Sequence, residues 1–291
     1  MHRRQLLDYA SLSVIWGVSF VLVLKVVQAF GWVGAATFRA FIASAILMLI
    51  AVVARRRLVF GRWLPLAVVG ATSVAGQLIG LSFSTPRIGT AMAAIFVGTI
   101  PLFSMVIGQF WGLEHITPSG RVGLFLGFGG IVLLVGFPAV PVTGTFVLGC
   151  VSSVLAAVSA AFGSNYAHKH LRAVGSWEQT IGSFVFGGIL TLPLLLVVPV
   201  PTTPQPFDYV YLVVLAGVCS ALAYVLYFRL VAEVGATIAI SVEFVVTVIA
   251  VVLGTVLLKE RLSVVQVLGG AVIIAGCSLV LGLIPRRPSG S

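Results

Sequence analysis

Residues 89–136 read GTAMAAIFVGTIPLFSMVIGQFWGLEHITPSGRVGLFLGFGGIVLLVG, and residues 235–282 read GATIAISVEFVVTVIAVVLGTVLLKERLSVVQVLGGAVIIAGCSLVLG. The second stretch lies on the first at a constant offset of 146 positions, without a gap. Gly89 falls on Gly235, Ala93 on Ala239, Val106 on Val252, Gly108 on Gly254 and Glu114 on Glu260. Further on, Gly123 falls on Gly269, Gly130 on Gly276, Leu133 on Leu279 and Gly136 on Gly282. Any two apolar helices share Leu and Val. Five glycine pairs and a Glu pair in one register are what an internal duplication leaves behind. Each copy is an apolar span, a short polar joint around the Glu, and a second, Gly-rich apolar span.

The rest of the chain has the same character. Hydrophobic residues make up 60% and charged residues 8%, against about 25% charged in a soluble domain. Apolar runs of about 20 residues suit helices that cross roughly 30 Å of hydrocarbon. Barrel strands would alternate apolar with polar residues, and these runs are apolar on all sides. The chain therefore reads as an all-α polytopic membrane protein. Its net charge of +10 sits in short loops; it points to topology and anionic lipid, and no nucleic-acid partner is expected. Cys150, Cys219 and Cys277 fall inside spans, where no disulfide is expected. The first apolar run is span-length and does not read as a cleavable signal peptide. Pro288 to Ser291 reads as a solvated end.

Ten spans are predicted, at about 7–27, 33–54, 63–84, 88–110, 118–137, 145–167, 177–198, 208–230, 236–258 and 264–284. Breakers mark the joints: Thr85-Pro86, Thr117-Pro118, Pro138 to Pro141, and Pro199 to Pro206. Thr117 and Ser263 are natural N-caps, and Pro118 suits a first helical position. With the N-terminus in the cytoplasm, twelve Lys and Arg fall on that side and four outside, which orients the chain and makes both termini cytoplasmic. Two halves follow, 1–138 and 142–287, of five spans each. Five is odd, so the second half enters the membrane inverted. Inverted repeats are a transporter architecture, with substrate near the midplane between the halves.

These features resemble the drug/metabolite transporter superfamily with paired EamA-type domains. The resemblance rests on the ten spans, a fourth span closing on Glu114, the N-cap after it, Pro101 thirteen residues before that Glu, and Trp16-Gly17-x-Ser19-Phe20 with Lys25 in span one. The second copy departs from the pattern, with Thr247 in the proline's place. The resemblance implies a central cavity lined by spans one, three, four, six, eight and nine, with spans five and ten behind it. It implies an inner-membrane, multi-pass secondary transporter of small metabolites, a monomer or weak dimer. Its flavour is closest to exporters of amino acids, including aromatic ones. Multidrug or nucleoside exporters of the same fold and passive facilitators are the alternatives.

Within those spans, residues that lipid would not tolerate become candidates for substrate contact. Trp16 lies mid-span and shares a helical face with Ser19 and Phe20, whereas Trp32, Trp63, Trp111 and Trp177 lie at span ends, as interfacial belts require. Trp16 forms either a packing contact with span three or an apolar gate. Tyr224, with Tyr227 near an interface, anchors substrate or another helix. Gln77 stands in a small, polar stripe with Ser73, Gly80 and Ser84; it either packs helices or binds the charged end of a zwitterion. Arg39 and Glu243 are the in-span charges, and a charge at that depth costs at least ~2.5–3.5 kcal/mol unless it is paired or hydrated. Glu243 is the candidate for a proton or a substrate amine; Arg39 pairs with it, snorkels, or caps a neighbour's carbonyls. Glu114 and Glu260 read as structural carboxylates beside the N-caps of spans five and ten. Pro101 and Pro193 should kink their helices, Pro101 as a rocking point. No Gly-x-x-x-x-Gly-Lys-Ser/Thr loop supports ATP drive. No nucleophile set or metal cluster suggests an enzyme or a cofactor, and His168-Lys169-His170 reads as a positive loop. A membrane enzyme for lipid or prenyl substrates would need clustered acids.

Overall fold

The computed structural model describes residues 3–113, 117–137, 141–201 and 203–280. Glu114, His115, Pro138, Gly282 and the tail from Pro288 lie outside the described residues. Among the described residues the secondary structure is helical, with no strand.

The first helix, α1 (Arg3–Val53), has 51 residues; straight, it would run about 77 Å, far longer than a bilayer needs. Gly31 breaks it at φ 73, ψ 167. Two side chains show that the chain reverses there. Trp16 Nε1 on the first arm and Arg39 Nη2 on the second both donate to Cys219 O, each at 3.2 Å. On one straight helix their Cα atoms would stand about 35 Å apart. The two predicted spans are thus arms of one hairpin, 3–30 and 32–53, with a single residue as the bend.

The same device recurs. Helix α2 (Trp63–Ile88) passes into α3 (Thr90–Phe110) through Gly89 at φ 87, ψ 161. Helix α7 (Pro206–Val234) passes into α8 (236–256) through Gly235 at φ 88, ψ 164. These are the first glycines of the two repeats. Both take a conformation that a Cβ forbids. Pro86, expected as a breaker, is absorbed inside α2, and the helix ends only at Gly89. Helix α3 is interrupted at Gly98–Thr99, and Pro101 stands in the first turn of its second piece, Ile100–Phe110. Helix α8 is interrupted earlier, at Ser241, between Ala236–Ile240 and Val242–Val256.

Helix α4 (Pro118–Gly136) opens as expected: Gly120 N donates to Thr117 Oγ1 at 3.1 Å, with Pro118 in the first turn. Helices α5 (Gly144–His170) and α6 (Ser176–Leu196) follow. Pro193 lies in the tight turn Leu192–Leu196 that ends α6, so it terminates the α-helix instead of kinking its middle. Helix α9 (Val264–Val280) is opened by Ser263, which exchanges two bonds with Gln266, at 2.9 and 3.1 Å, in a capping box.

Helices α4 and α9 meet through glycine faces. A Cβ on Gly130 would lie 2.7 Å from Gly269 O, and one on Gly276 would lie 2.6 Å from Gly123 O. Numbers fall along α4 as they rise along α9, so the helices are antiparallel. Gly123 and Gly269 are repeat partners, as are Gly130 and Gly276. The contact Gly130–Gly269 therefore returns as Gly276–Gly123, the reciprocal pattern of a two-fold contact. Among the described residues, six helices are long and apolar enough to cross a bilayer, and shorter apolar helices accompany them. The fold is that of a polytopic membrane protein.

Candidate functional site

The centre of the molecule is organised by two irregular turns. In α2 the turn Gly70–Gly76, and in α7 the turn Gly217–Leu222, are π-helical. Gln77 N reaches back to Thr72 O, and Ala223 N reaches back to Val218 O. The α-helix resumes directly after each turn, so one carbonyl in each drops out of the ladder: Ser73 in the first, Cys219 in the second. These residues lie one repeat offset apart. Each released carbonyl has found side-chain donors. Tyr224 Oη donates to Ser73 O at 3.3 Å. Cys219 O receives Trp16 and Arg39.

Around these turns lies a cavity of two chambers. The first, about 460 Å³ with space open to solvent counted in, is lined by Trp16, Ser19, Phe20, Arg39, Gln77, Tyr224 and Glu243, with Val23, Leu81, Thr85, Val97 and Val246 among the rest. The second, smaller by the same measure at about 270 Å³, is lined by Ser73, Ser164, Tyr227 and Ile240 among others. Trp16, Gln77, Tyr224 and Glu243 border both and form the wall between them. Trp16, Ser19, Phe20, Gln77, Tyr224 and Glu243, with Arg39, thus line one space. Pro101 is buried but does not line it.

Trp16 packs on Tyr224 and Tyr227, with ring centroids 5.4 and 5.3 Å apart. Tyr227 is buried and shares a 2.7 Å hydrogen bond with Ser164. Ser19 is satisfied by its own helix, donating to Trp16 O at 2.7 Å. Gln77 Oε1 accepts from Tyr224 Oη at 3.2 Å. Its neighbours on the small stripe pack instead: Ser152 Oγ donates to Gly80 O at 3.0 Å, and a Cβ on Gly80 would lie 2.8 Å from Ala156 Cβ. The stripe packs helices at Gly80, while Gln77 borders the cavity.

Arg39 is buried and donates from Nε to Ser220 Oγ, which in turn donates to Leu215 O at 3.0 Å. It forms no ion pair with Glu243; it caps the released carbonyl instead. Glu243 is 5% exposed, and no hydrogen bond from a described residue reaches its carboxylate. Its backbone carbonyl accepts from Thr247 Oγ1 at 2.7 Å, which also stands 3.0 Å from Ala94 O and ties α8 to α3. Sequence reasoning missed Cys219, whose contribution is a backbone oxygen, and Thr247, noted only as a departure from a motif.

Asp8 and Arg229 form an ion pair. Gln5 Nε2 donates to Glu233 at 3.2 Å, and Tyr9 and Ser241 share a 3.1 Å hydrogen bond. These contacts tie the start of α1 to the α7–α8 elbow at Gly235. Glu260 is a structural carboxylate, but not beside α9. It crosses to the start of α3 and accepts from Thr90 N and Oγ1, both at 2.7 Å, and from Ala91 N at 2.8 Å. The Gly89 bend leaves those N–H groups bare, and an N-terminus attracts a carboxylate. Among the described residues, no three His, Cys, Asp or Glu side chains gather as metal ligands.

The EamA-like transporter family matches this chain twice, over residues 9–136 and 147–282. The chain belongs to that family. It is 27% identical over 296 residues to YedA of Escherichia coli K12, described as an uncharacterized inner membrane transporter, covering 96% of this chain and 92% of that one. It is 27% identical over 282 residues to the protein PecM of Dickeya dadantii, covering 94% and 91%. A solved crystal structure shares the fold at TM-score 0.70 and 16% identity, over 97% of this chain and 98% of that one. Family and fold together define a polytopic membrane transporter.

Proposed function

We propose that the chain is a secondary transporter that exports small metabolites, amino acids including aromatic ones foremost, across the inner membrane by alternating access. Counting the arms of α1 separately, the reading takes ten membrane crossings in two inverted halves, 1–138 and 142–287, with both termini cytoplasmic. The observation that carries it is the reciprocal, antiparallel contact of α4 with α9 beside a central cavity. Halves related in that way have two equivalent routes to open, one toward each side. In this reading the end tied by Asp8–Arg229 also bears Arg56, over Trp177 at 4.8 Å, and Lys169, over Trp111 at 5.4 Å. Basic residues at this end suit the cytoplasmic face.

Substrate chemistry follows from the lining. Trp16, Phe20 and Tyr224 offer flat apolar surface to a ring. The Arg39 donors not used on Ser220 and Cys219 suit a carboxylate, and Glu243 suits an ammonium. Movement would part the start of α1 from the α7–α8 elbow, with the break before Pro101 letting the end of α3 rock. The chain would work as a monomer or weak dimer, without ATP or a cofactor. Counterflow of a labelled amino-acid panel in proteoliposomes tests this. Trans-stimulated exchange of aromatic amino acids is expected. Flux without trans-stimulation would mark a facilitator, and exchange of nucleosides or drugs alone would move the substrate class.

A further inference from the structure

The two irregular turns are alike in backbone and opposite in electrostatics. At Cys219 the protein supplies its own cation to the released carbonyl, the Arg39 guanidinium. At Ser73 the released carbonyl meets only a neutral donor. The Tyr224 hydroxyl stands 3.3 Å from Ser73 O and 3.2 Å from Gln77 Oε1. Both distances are long beside the usual ~2.7–2.8 Å, and one phenolic hydrogen faces two acceptors. The carboxylate of Glu243 borders the same chamber, untouched by any described hydrogen bond. Ser73 Oγ, buried against Gly163 of α5, also has no partner. Ser73, Gln77, Ser164 and Tyr227 also bring O–H and N–H donors to this chamber, and none of them bonds to Glu243. The chamber has one acidic side chain and no Lys, Arg or His in its lining.

A carboxylate taken out of water must be neutralised. A protein that holds one as a bare anion surrounds it with N–H groups. Carbonyl, amide and hydroxyl oxygens solvate a hard cation instead. One carboxylate balances one positive charge, which selects a monovalent ion. Broken helix ladders are how membrane proteins bring backbone oxygen to such ions.

We propose that the chamber bounded by Ser73, Gln77 and Glu243 binds Na⁺, through the Ser73 carbonyl, the Gln77 amide oxygen and the Glu243 carboxylate. As a coupling ion it rests on the transport reading above; as a binding site it does not. Glu243 and Gln77 also border the larger chamber, so the ion and a substrate would share one wall.

The test uses the purified full-length protein in lipid nanodiscs, melted in NaCl, KCl and choline chloride at constant ionic strength. Tryptophan fluorescence is read in parallel, because Trp16 borders the chamber. A saturable, Na⁺-selective rise in Tm with a matching fluorescence change is expected. Glu243→Gln removes both. Glu243→Asp, which keeps the charge, retains a weaker response, and Gln77→Leu raises the half-saturating Na⁺ concentration about tenfold, the equivalent of one modest ligand. If Glu243→Gln does not fold, the other two variants carry the comparison. Equal responses to K⁺ and choline overturn the proposal, as does a Na⁺ response that survives Glu243→Gln. A response to pH without one to Na⁺ gives Glu243 to a proton and overturns it too. Because the readout is binding, absence of amino-acid counterflow would reject the transport reading and leave the Na⁺ result standing.

Discussion

Glu260 and Thr90 are joined across 170 residues of chain: one carboxylate oxygen accepts both the backbone N–H and the hydroxyl of Thr90, each at 2.7 Å. The bond closes the joint after α8 on the bend before α3. Its removal should act on stability alone. Glu260→Ala should cost about 1–2 kcal/mol, the range of a lost N-cap, read as a lower melting temperature of the purified protein. Glu260→Gln keeps an acceptor and should cost less. Unchanged melting of the Ala variant would remove the cap from the account.

The α4–α9 interface separates glycines that pack from glycines that do not. A Cβ on Gly276 would meet Gly127 N and Gly123 O at 2.6 Å, whereas one on Gly129 would meet nothing within 4 Å. Gly276→Ala should destabilise by about 1–3 kcal/mol through overpacking. Gly129→Ala should be neutral or stabilise by up to about 1 kcal/mol through helix propensity. Thermal melts of the two variants, side by side, decide it; equal losses would mean that the glycine face is not the contact.

The cavity wall makes a prediction about transport. Trp16→Ala and Gln77→Ala should reduce exchange far more than Trp63→Ala, whose side chain is 67% exposed at the start of α2. Rates normalised to folded protein give the comparison. Equal losses at all three positions would point to general destabilisation.

Arg39 and Glu243 line one cavity and do not touch. Their stability effects should therefore add. The double variant Arg39→Gln, Glu243→Gln should melt where the two single variants place it, within about 0.5 kcal/mol. A coupling clearly larger than that would show that the charges meet in a conformation other than this one.

Much of this molecule is written locally. The membrane class follows from runs of apolar residues, which need only length. Gly89 and Gly235 mark the bends because no residue with a Cβ takes that backbone freely. Thr117 and Ser263 cap their helices through neighbours three residues away. Two of the five glycine pairs that revealed the duplication, Gly123 with Gly269 and Gly130 with Gly276, are those through which α4 and α9 meet, since close helix packing demands a missing side chain wherever it occurs. Trp16, Gln77, Tyr224, Arg39 and Glu243 stood out because each is costly in lipid.

What the sequence by itself did not contain lies between segments. The irregular turns read GATSVAG at 70–76 and GVCSAL at 217–222, with little in common, because the shared feature is a slipped backbone register and not a residue type. Which carbonyl such a turn releases, and whether Arg39 or Tyr224 finds it, depends on how distant helices pack. The same holds for Glu260, drawn to α3 and not to α9, because the bend at Gly89 leaves N–H groups bare there. Local chemistry decided which groups needed partners, and only the tertiary structure, by bringing far-apart helices within bonding distance, decided which partners they have.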